Sequence, residues 1–256
     1  MLASFRDLTD SISLHHNLFA SSRERHPTLG GSPDTRPEAI VDFRNNVIYN
    51  LSGATNLANC RINLVRNVYR PGPNTPADNR PLATKTEKPD ALRVYLADNL
   101  FTGQPNFTQD NWRAVDFTRW IKGNYRAVTA EQIRAELPFA VGDAEPDCQP
   151  PEAAYELVLQ HAGASHPRDA ADLRLVRGVR DRSHRLIDSQ DEVGGWPELH
   201  SLPAPQDSDQ DGMPDLWERQ HGLDPRNADD RNAAAEGDGY TNLEAYLNEL
   251  VARPSD

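Results

Sequence analysis

Four short segments in the first hundred residues share one pattern of apolar and polar positions: ISLHHNLF, VDFRNNVI, INLVRNVY and VYLADNLF. Aligned on Asn17, Asn46, Asn67 and Asn99, the position five earlier reads Ile12, Val41, Ile62 and Val94, and the position three earlier Leu14, Phe43, Leu64 and Leu96. The two positions after the asparagine are apolar as well: Leu18 and Phe19, Val47 and Ile48, Val68 and Tyr69, Leu100 and Phe101. Apolar residues two apart are the period of a strand with one buried face. The copies lie 29, 21 and 32 residues apart, all run in one direction, and no helical pattern fills the gaps. Such repeats suit a solenoid of parallel strands in which each coil buries its apolar face on the next. An antiparallel sandwich with asparagines in its turns is the other reading. Asparagine suits the corner of a coil because it tolerates a left-handed backbone, and its amide both donates and accepts, so stacked copies can bond along the axis. Four coils make a stack about 20 Å tall at the usual strand spacing. Its first strand begins near Ser11 with almost no chain before it, as expected for the C-terminal part of a longer solenoid.

Between Thr108 and Trp196 the period changes to that of helices, concentrated at about residues 125–185. Thr129 to Gln132 (TAEQ) reads as a capping box with Pro138 as the stop. Ala154, Leu157, Val158 and His161 share a face ended by Gly163, and a third candidate holds Leu173, Val176 and Val179. These helices are expected to cover an end or side of the solenoid. GGWP at Gly194 to Pro197 marks its end, which places the first domain at 1–199 and a linker at 200–206.

Residues 207–256 form a separate module. The whole chain holds 27 Lys plus Arg against 39 Asp plus Glu, net −12, and 13 of the acids with 4 of the bases fall in this segment. DSDQDGMPDLWE, residues 207–218, has the spacing of a twelve-residue calcium loop: Asp207, Asp209 and Asp211 at positions 1, 3 and 5, Gly212 at the sharp turn, the Met213 carbonyl at 7, Asp215 at 9 and Glu218 at 12. Carboxylates this dense repel one another unless a cation sits among them. The loop resembles the thrombospondin type 3 or dockerin-like repeats of secreted bacterial polysaccharide enzymes, and so implies a small EF-hand-like, calcium-binding α module with a structural Ca2+. A weaker second loop is suggested at 234–245 by Glu236, Asp238, Gly239 and Asn242.

The acidic balance argues against a nucleic-acid partner, and no stretch approaches the roughly 18 apolar residues of a membrane span. MLASFRDLTDS has neither the charged nor the apolar region of a signal peptide. Cys60 lies seven before Asn67, in phase with the buried columns, and reads as a core thiol rather than a disulfide partner of Cys148.

HHNLFASSRERHP at residues 15–27, with VDFRNNVIYN and NLVRNVYRPGP after it, resembles the pectate lyases of polysaccharide lyase family 1, over about Ser11 to Leu199. The resemblance implies a right-handed parallel β-helix that cleaves polygalacturonate, the pectin backbone, by β-elimination with calcium bridging enzyme and substrate. It assigns the base to the Arg of R-x-P, here Arg25. The reaction removes the C5 proton beside a uronate carboxylate and expels the sugar oxygen at C4, and cations on the carboxylate make C5 more acidic. A guanidinium loses its proton only above about pH 12, so an arginine base needs a cationic, desolvated setting and alkaline pH. Arg23 and His26 supply neighbouring positive charge, and Arg23 and Arg70 are candidate contacts to uronate carboxylates through their forked donors. Arg70 reads more readily as a residue closing the turn before Pro71, and His16, one residue before the asparagine corner, as a stacking or turn residue; neither His15 nor His16 is assigned a metal. The family's second basic residue after the proline is absent, since Thr28, Leu29 and Gly30 follow Pro27. Its calcium carboxylates and substrate lysine belong to coils upstream of the HHN strand. A secreted bacterial pectate lyase is therefore the leading expectation. A non-catalytic protein that binds acidic polysaccharide or attaches to a surface is the alternative.

Overall fold

The computed structural model describes residues 2–142, 148–165, 168–199, 202–234 and 239–251. They fall into two compact units, Met1–Pro197 and Glu198–Asp256.

The first unit is built of coils with three strands each. The first coil holds β1 (Ser4–Arg6), β2 (Ile12–His15) and β3 (Leu18–Ser22); the second, β4 (Thr28–Gly31), β5 (Ile40–Arg44) and β6 (Val47–Leu51). The third holds β7 (Thr55–Leu57), β8 (Arg61–Val65) and β9 (Val68–Arg70); the fourth, β10 (Leu82–Thr84), β11 (Arg93–Ala97) and β12 (Leu100–Phe101), before a last strand β13 (Val115–Asp116). Strands stack into three sheets, β1-β4-β7-β10-β13, β2-β5-β8-β11 and β3-β6-β9-β12, and every pairing is parallel. This is the topology of a parallel β-helix, and it removes the antiparallel sandwich.

The four sequence copies are in register. Ile12 pairs Val41, Val41 pairs Ile62 and Ile62 pairs Val94; Leu14, Phe43, Leu64 and Leu96 form the next column. Phe19, Ile48, Tyr69 and Phe101 point inward with them, in one apolar core. The column just after the asparagine faces out instead. Val47 and Val68 pack beneath Val158, and Tyr49 packs with Leu159 and Val179. Both faces of this third sheet are thus buried, and its strands read apolar on both sides for that reason.

The asparagines make a ladder. Asn17 Nδ2 donates to Asn46 Oδ1 at 2.9 Å, Asn46 to Asn67 at 3.1 Å, Asn67 to Asn99 at 2.9 Å and Asn99 to Asn111 at 3.0 Å. Each Oδ1 also accepts the backbone N–H of the asparagine before it, at 2.8–3.0 Å. The left-handed residue of the corner is not the asparagine itself but the one preceding it: His16, Asn45, Arg66 and Asp98 have φ of 54°, 51°, 52° and 57°. Two residues join strands of adjacent sheets there, and the first takes the turn while the second turns its amide inward.

Helix α1 (Pro105–Gln109) and the 3-10 turn Asn111–Ala114 close the far end, where Phe107, Trp112 and Phe117 pack on the core. Helix α2 (Ala130–Ile133) has the expected reciprocal bond, Thr129 N–H donating to Gln132 Oε1 at 2.8 Å, and buries Ile133. Helices α3 (Pro151–His161) and α4 (Ala170–Asp181) cover the third sheet with Ala154, Val158, Leu159 and Val179, whereas Leu173 is 51% exposed.

In the second unit, α5 (Asp215–Gln220) and α6 (Asn242–Val251) are joined by Trp217, which stacks on His221 and donates its indole N–H to Glu249 Oε2 at 2.7 Å. Two residues of the expected linker, His200 and Ser201, and two of the second acidic loop, Glu236 and Asp238, lie outside the described residues. No helix among the described residues is long and apolar enough to cross a membrane.

Candidate functional site

Arg25 lies in the turn between β3 and β4, half-buried, with φ of 60°. Left-handed backbone is unfavourable for a non-glycine residue unless its surroundings fix it, and here both neighbouring coils do. The Arg25 carbonyl accepts from Ala3 N–H at 3.2 Å, His26 N–H donates to Ala54 O at 3.2 Å, and Pro27 O accepts from Asn56 N–H at 2.9 Å. Gly53 permits this close stacking: a Cβ there would stand 2.9 Å from Arg23 O and 3.3 Å from Glu24 Cα.

The first sheet sends Leu29 and Leu57 into the core, so the alternate residues Thr28 and Asn56 face the opposite side. On that side two cavities share a wall formed by Arg25 and Lys85. One is bordered by Arg6, Asn59 and Tyr125, the other by Arg23, Arg119 and Trp120. Lys85 follows β10, two coils on from Arg25, and its ammonium lies 4.3 Å from the centre of the Trp120 ring and 5.3 Å from that of Tyr125. Burial and the charges of Arg25, Lys122 and Arg6 hold the Lys85 ammonium below the ordinary lysine range, with Glu24 opposing them. The groove is therefore cationic with an aromatic floor, suited to an extended ligand carrying carboxylates. Arg6, Lys85, Arg119, Trp120 and Tyr125 carry no sequence signal of their own, because only the stacking of coils brings them to Arg25.

The other candidates lie as follows. Arg23 is at the rim, in an exposed ion pair with Asp188 at 3.1 Å. Arg70 is in the third sheet and not in the groove: its Nε and Nη2 donate to the Val179 and Arg180 carbonyls at 3.1 and 2.8 Å, closing the end of α4, and its guanidinium faces Tyr155. His15 and His16 sit at the corner between second and third sheets, 3.0 Å apart, with His16 Nε2 2.7 Å from Gln149 Oε1. His26 is fully buried, and both ring nitrogens lack a hydrogen-bond partner among the described residues; burial pushes its pKa down to about 4. It remains neutral and adds no positive charge to Arg25. Cys60 is a buried free thiol pushed up to about 12 by burial.

No acidic group of metal-ligating geometry lies in the groove among the described residues; the two that exist are Asp207, Asp209 and Asp211, and Asp211, Glu218 and Asp230. Met213 N–H donates to Asp211 Oδ1 at 2.7 Å, and Asp207 accepts from the backbone of Gln210, Asp211 and Gly212. Asp215, the ninth loop residue, spends both carboxylate oxygens elsewhere: Oδ1 on Ser208 N–H at 2.7 Å, Oδ2 on Ser208 Oγ and Arg219 Nη2 at 2.9 and 3.0 Å. Glu218 is fully buried, and neither of its oxygens has a hydrogen-bond partner among the described residues. Burial first, and then Asp209, Asp211, Asp230 and Asp215, push its pKa up to about 7.

No protein-family model matches the chain. Curated relatives do. The probable pectate lyase C of Aspergillus flavus is 28% identical over 249 residues, that of Aspergillus oryzae 28% over 249 and that of Aspergillus terreus 27% over 255. Each match covers 94% of this chain and 54% of the relative, so the chain spans about half the length of the curated relatives it matches. A match of that extent exceeds the 197 residues of the first unit and runs into the second. The relatives are fungal and lend the expected bacterial source no support. By sequence, the chain is similar to proteins named pectate lyase along nearly its whole length.

Proposed function

We propose that this chain carries the elimination base and part of the substrate groove of a secreted pectate lyase acting on polygalacturonate. One observation supports the reading above the rest: Arg25 is fixed by coils on both sides at the shared wall of a groove that also holds Arg6, Lys85 and Trp120. In this reading Lys85 and Arg6 bind uronate carboxylates and Arg23 contacts the polymer at the rim. Cations on the carboxylate acidify C5, Arg25 accepts the C5 proton, and the C4 oxygen departs as the double bond forms. As the base, Arg25 must be unprotonated when it takes the C5 proton. Calcium would add charge neutralisation at the carboxylate. The carboxylates that line the groove, Glu24 and Glu87, belong to no group of metal-ligating geometry among the described residues, and no step is assigned to calcium. The Ca2+ expected at 207–218 belongs to the second unit as a structural ion.

That absence of grouped carboxylates in the groove also favours a second reading for this polypeptide taken by itself, a protein that binds acidic polysaccharide without cleaving it. The experiment is incubation of the whole chain with polygalacturonate and calcium at alkaline pH. Growth of unsaturated-uronide absorbance that disappears in Arg25→Ala establishes the lyase. Retention of the polymer without any absorbing product establishes the binding protein and overturns the first reading.

A further inference from the structure

Six buried carboxylate oxygens in the second unit have no hydrogen-bond partner among the described residues: both of Asp209, Oδ2 of Asp211, both of Glu218 and Oδ1 of Asp230. Buried polar atoms are ordinarily satisfied, and an anion left unpaired in the interior is among the costliest groups a fold can hold. Here four such residues converge. One ligand oxygen from each of Asp211, Glu218 and Asp230 lies within 4.8 Å of the others, and the same holds for Asp207, Asp209 and Asp211, so Asp211 belongs to both groups. Glu218, in the second of these groups, is fully buried.

Asp230 lies twelve residues beyond the end of the loop, at the start of a 3-10 turn. It is held in place from both sides: its Oδ2 accepts from Asp224 N–H at 3.2 Å and its carbonyl from Asn242 Nδ2 at 2.8 Å, leaving Oδ1 turned to the cluster. Asp215, by contrast, belongs to neither group, and its oxygens accept from Ser208 and Arg219.

We propose that the second unit holds a hard divalent cation in a clasp made by two separate segments, with Asp230 as a ligand and Asp215 as a positioning residue outside the first coordination sphere. The inference rests on the calcium reading of the loop and exchanges Asp215 for Asp230 in its ligand set, giving Asp207, Asp209, Asp211, the Met213 carbonyl, Glu218 and Asp230. Calcium takes six to eight oxygens at flexible angles and accepts a bidentate carboxylate, a description that six unpaired oxygens with a two-oxygen Glu218 meet. Because the ligands come from α5 and from a turn beyond it, the ion ties those segments together, and binding it is coupled to the folding of the unit.

Terbium titration of the whole chain tests this, with luminescence sensitised by Trp217, the neighbour of Glu218. Wild-type protein is expected to give saturable emission that calcium displaces. Asp230→Asn should weaken terbium and calcium binding at least tenfold and remove most of the calcium-induced rise in melting temperature. Asp215→Asn should change affinity less than threefold, and the adjacent exposed Asp229→Asn should change it not at all. Far-UV circular dichroism of Asp230→Asn in saturating calcium, matching wild type, separates ligand loss from misfolding. Absence of calcium-displaceable emission in wild type overturns the calcium reading as a whole. Wild-type affinity in Asp230→Asn, together with loss in Asp215→Asn, overturns the clasp and leaves a loop-only site.

Discussion

Lys85 lays its ammonium 4.3 Å from the centre of the Trp120 ring, and the same indole donates its N–H to Asn56 Oδ1 at 2.8 Å. Asn56 in turn donates to Thr28 Oγ1 at 2.9 Å, three residues after Arg25. A residue of the fourth coil is thus positioned against the second by an aromatic ring pinned to the third.

Polymer affinity follows from that arrangement. Lys85→Ala is expected to weaken polygalacturonate binding about tenfold, and Trp120→Ala by a similar factor because the lysine loses the face that holds it. Affinity electrophoresis in substrate-containing gels reads both. Retention unchanged from wild type in the two variants would remove Lys85 from the substrate site.

Gly53 gives a second test. A methyl group there would press on Arg23 O and Glu24 Cα, so Gly53→Ala should displace the Arg25 turn, lowering kcat/KM by ten- to a hundredfold while urea stability falls by only about 1–2 kcal/mol. A variant as active as wild type would show that the position of this turn does not matter.

The asparagine ladder should be most sensitive at its centre. Asn67 is fully buried; its Nδ2 donates to Phe43 O and Asn99 Oδ1, and its Oδ1 accepts from Asn46. Asn67→Ala orphans groups in both neighbouring coils and is expected to cost about 3–5 kcal/mol in urea unfolding. Asn17→Ala, at the exposed first rung, should cost about 1 kcal/mol. Equal costs would contradict a continuous ladder.

His26 predicts a pH dependence. Its folded pKa, about 4 through burial, lies below the value of about 6.5 in an unfolded chain. The unfolded state therefore binds the extra proton: stability is full above about pH 6.5 and is lost as pH falls toward 4, by about 3 kcal/mol in all. His26→Leu should remove that part of the loss between about pH 7 and pH 4.5 in urea unfolding. Parallel profiles for variant and wild type would show that the buried imidazole titrates normally.

The solenoid was legible because each coil repeats its apolar columns at fixed offsets from one asparagine, and parallel stacking turns such offsets into register. The fifth rung was not: Asn111 follows Asn99 by twelve residues and is delivered by a 3-10 turn without flanking strand columns. Arg25 was proposed from its local motif, whereas Lys85 and Trp120 reach it through pairings between coils that local spacing does not encode. Reading Arg70 as a substrate contact failed to anticipate α4, whose terminal carbonyls occupy its guanidinium. The spacing of the acidic loop anticipated that Asp207, Asp209 and Asp211 lie together and that Glu218 lies beside Asp211. Asp230 was hidden because a twelve-residue template ends before it, and Asp215 matched the template although Ser208 and Arg219 bind its oxygens.

The central claim is that the guanidinium at position 25 is the elimination base, and separate measurement of turnover and affinity in Arg25→Lys and Arg25→Ala tests it most directly. Both variants should bind polygalacturonate within about tenfold of wild type while release of unsaturated product falls at least about a thousandfold. Product release in Arg25→Ala within tenfold of wild type would contradict the account.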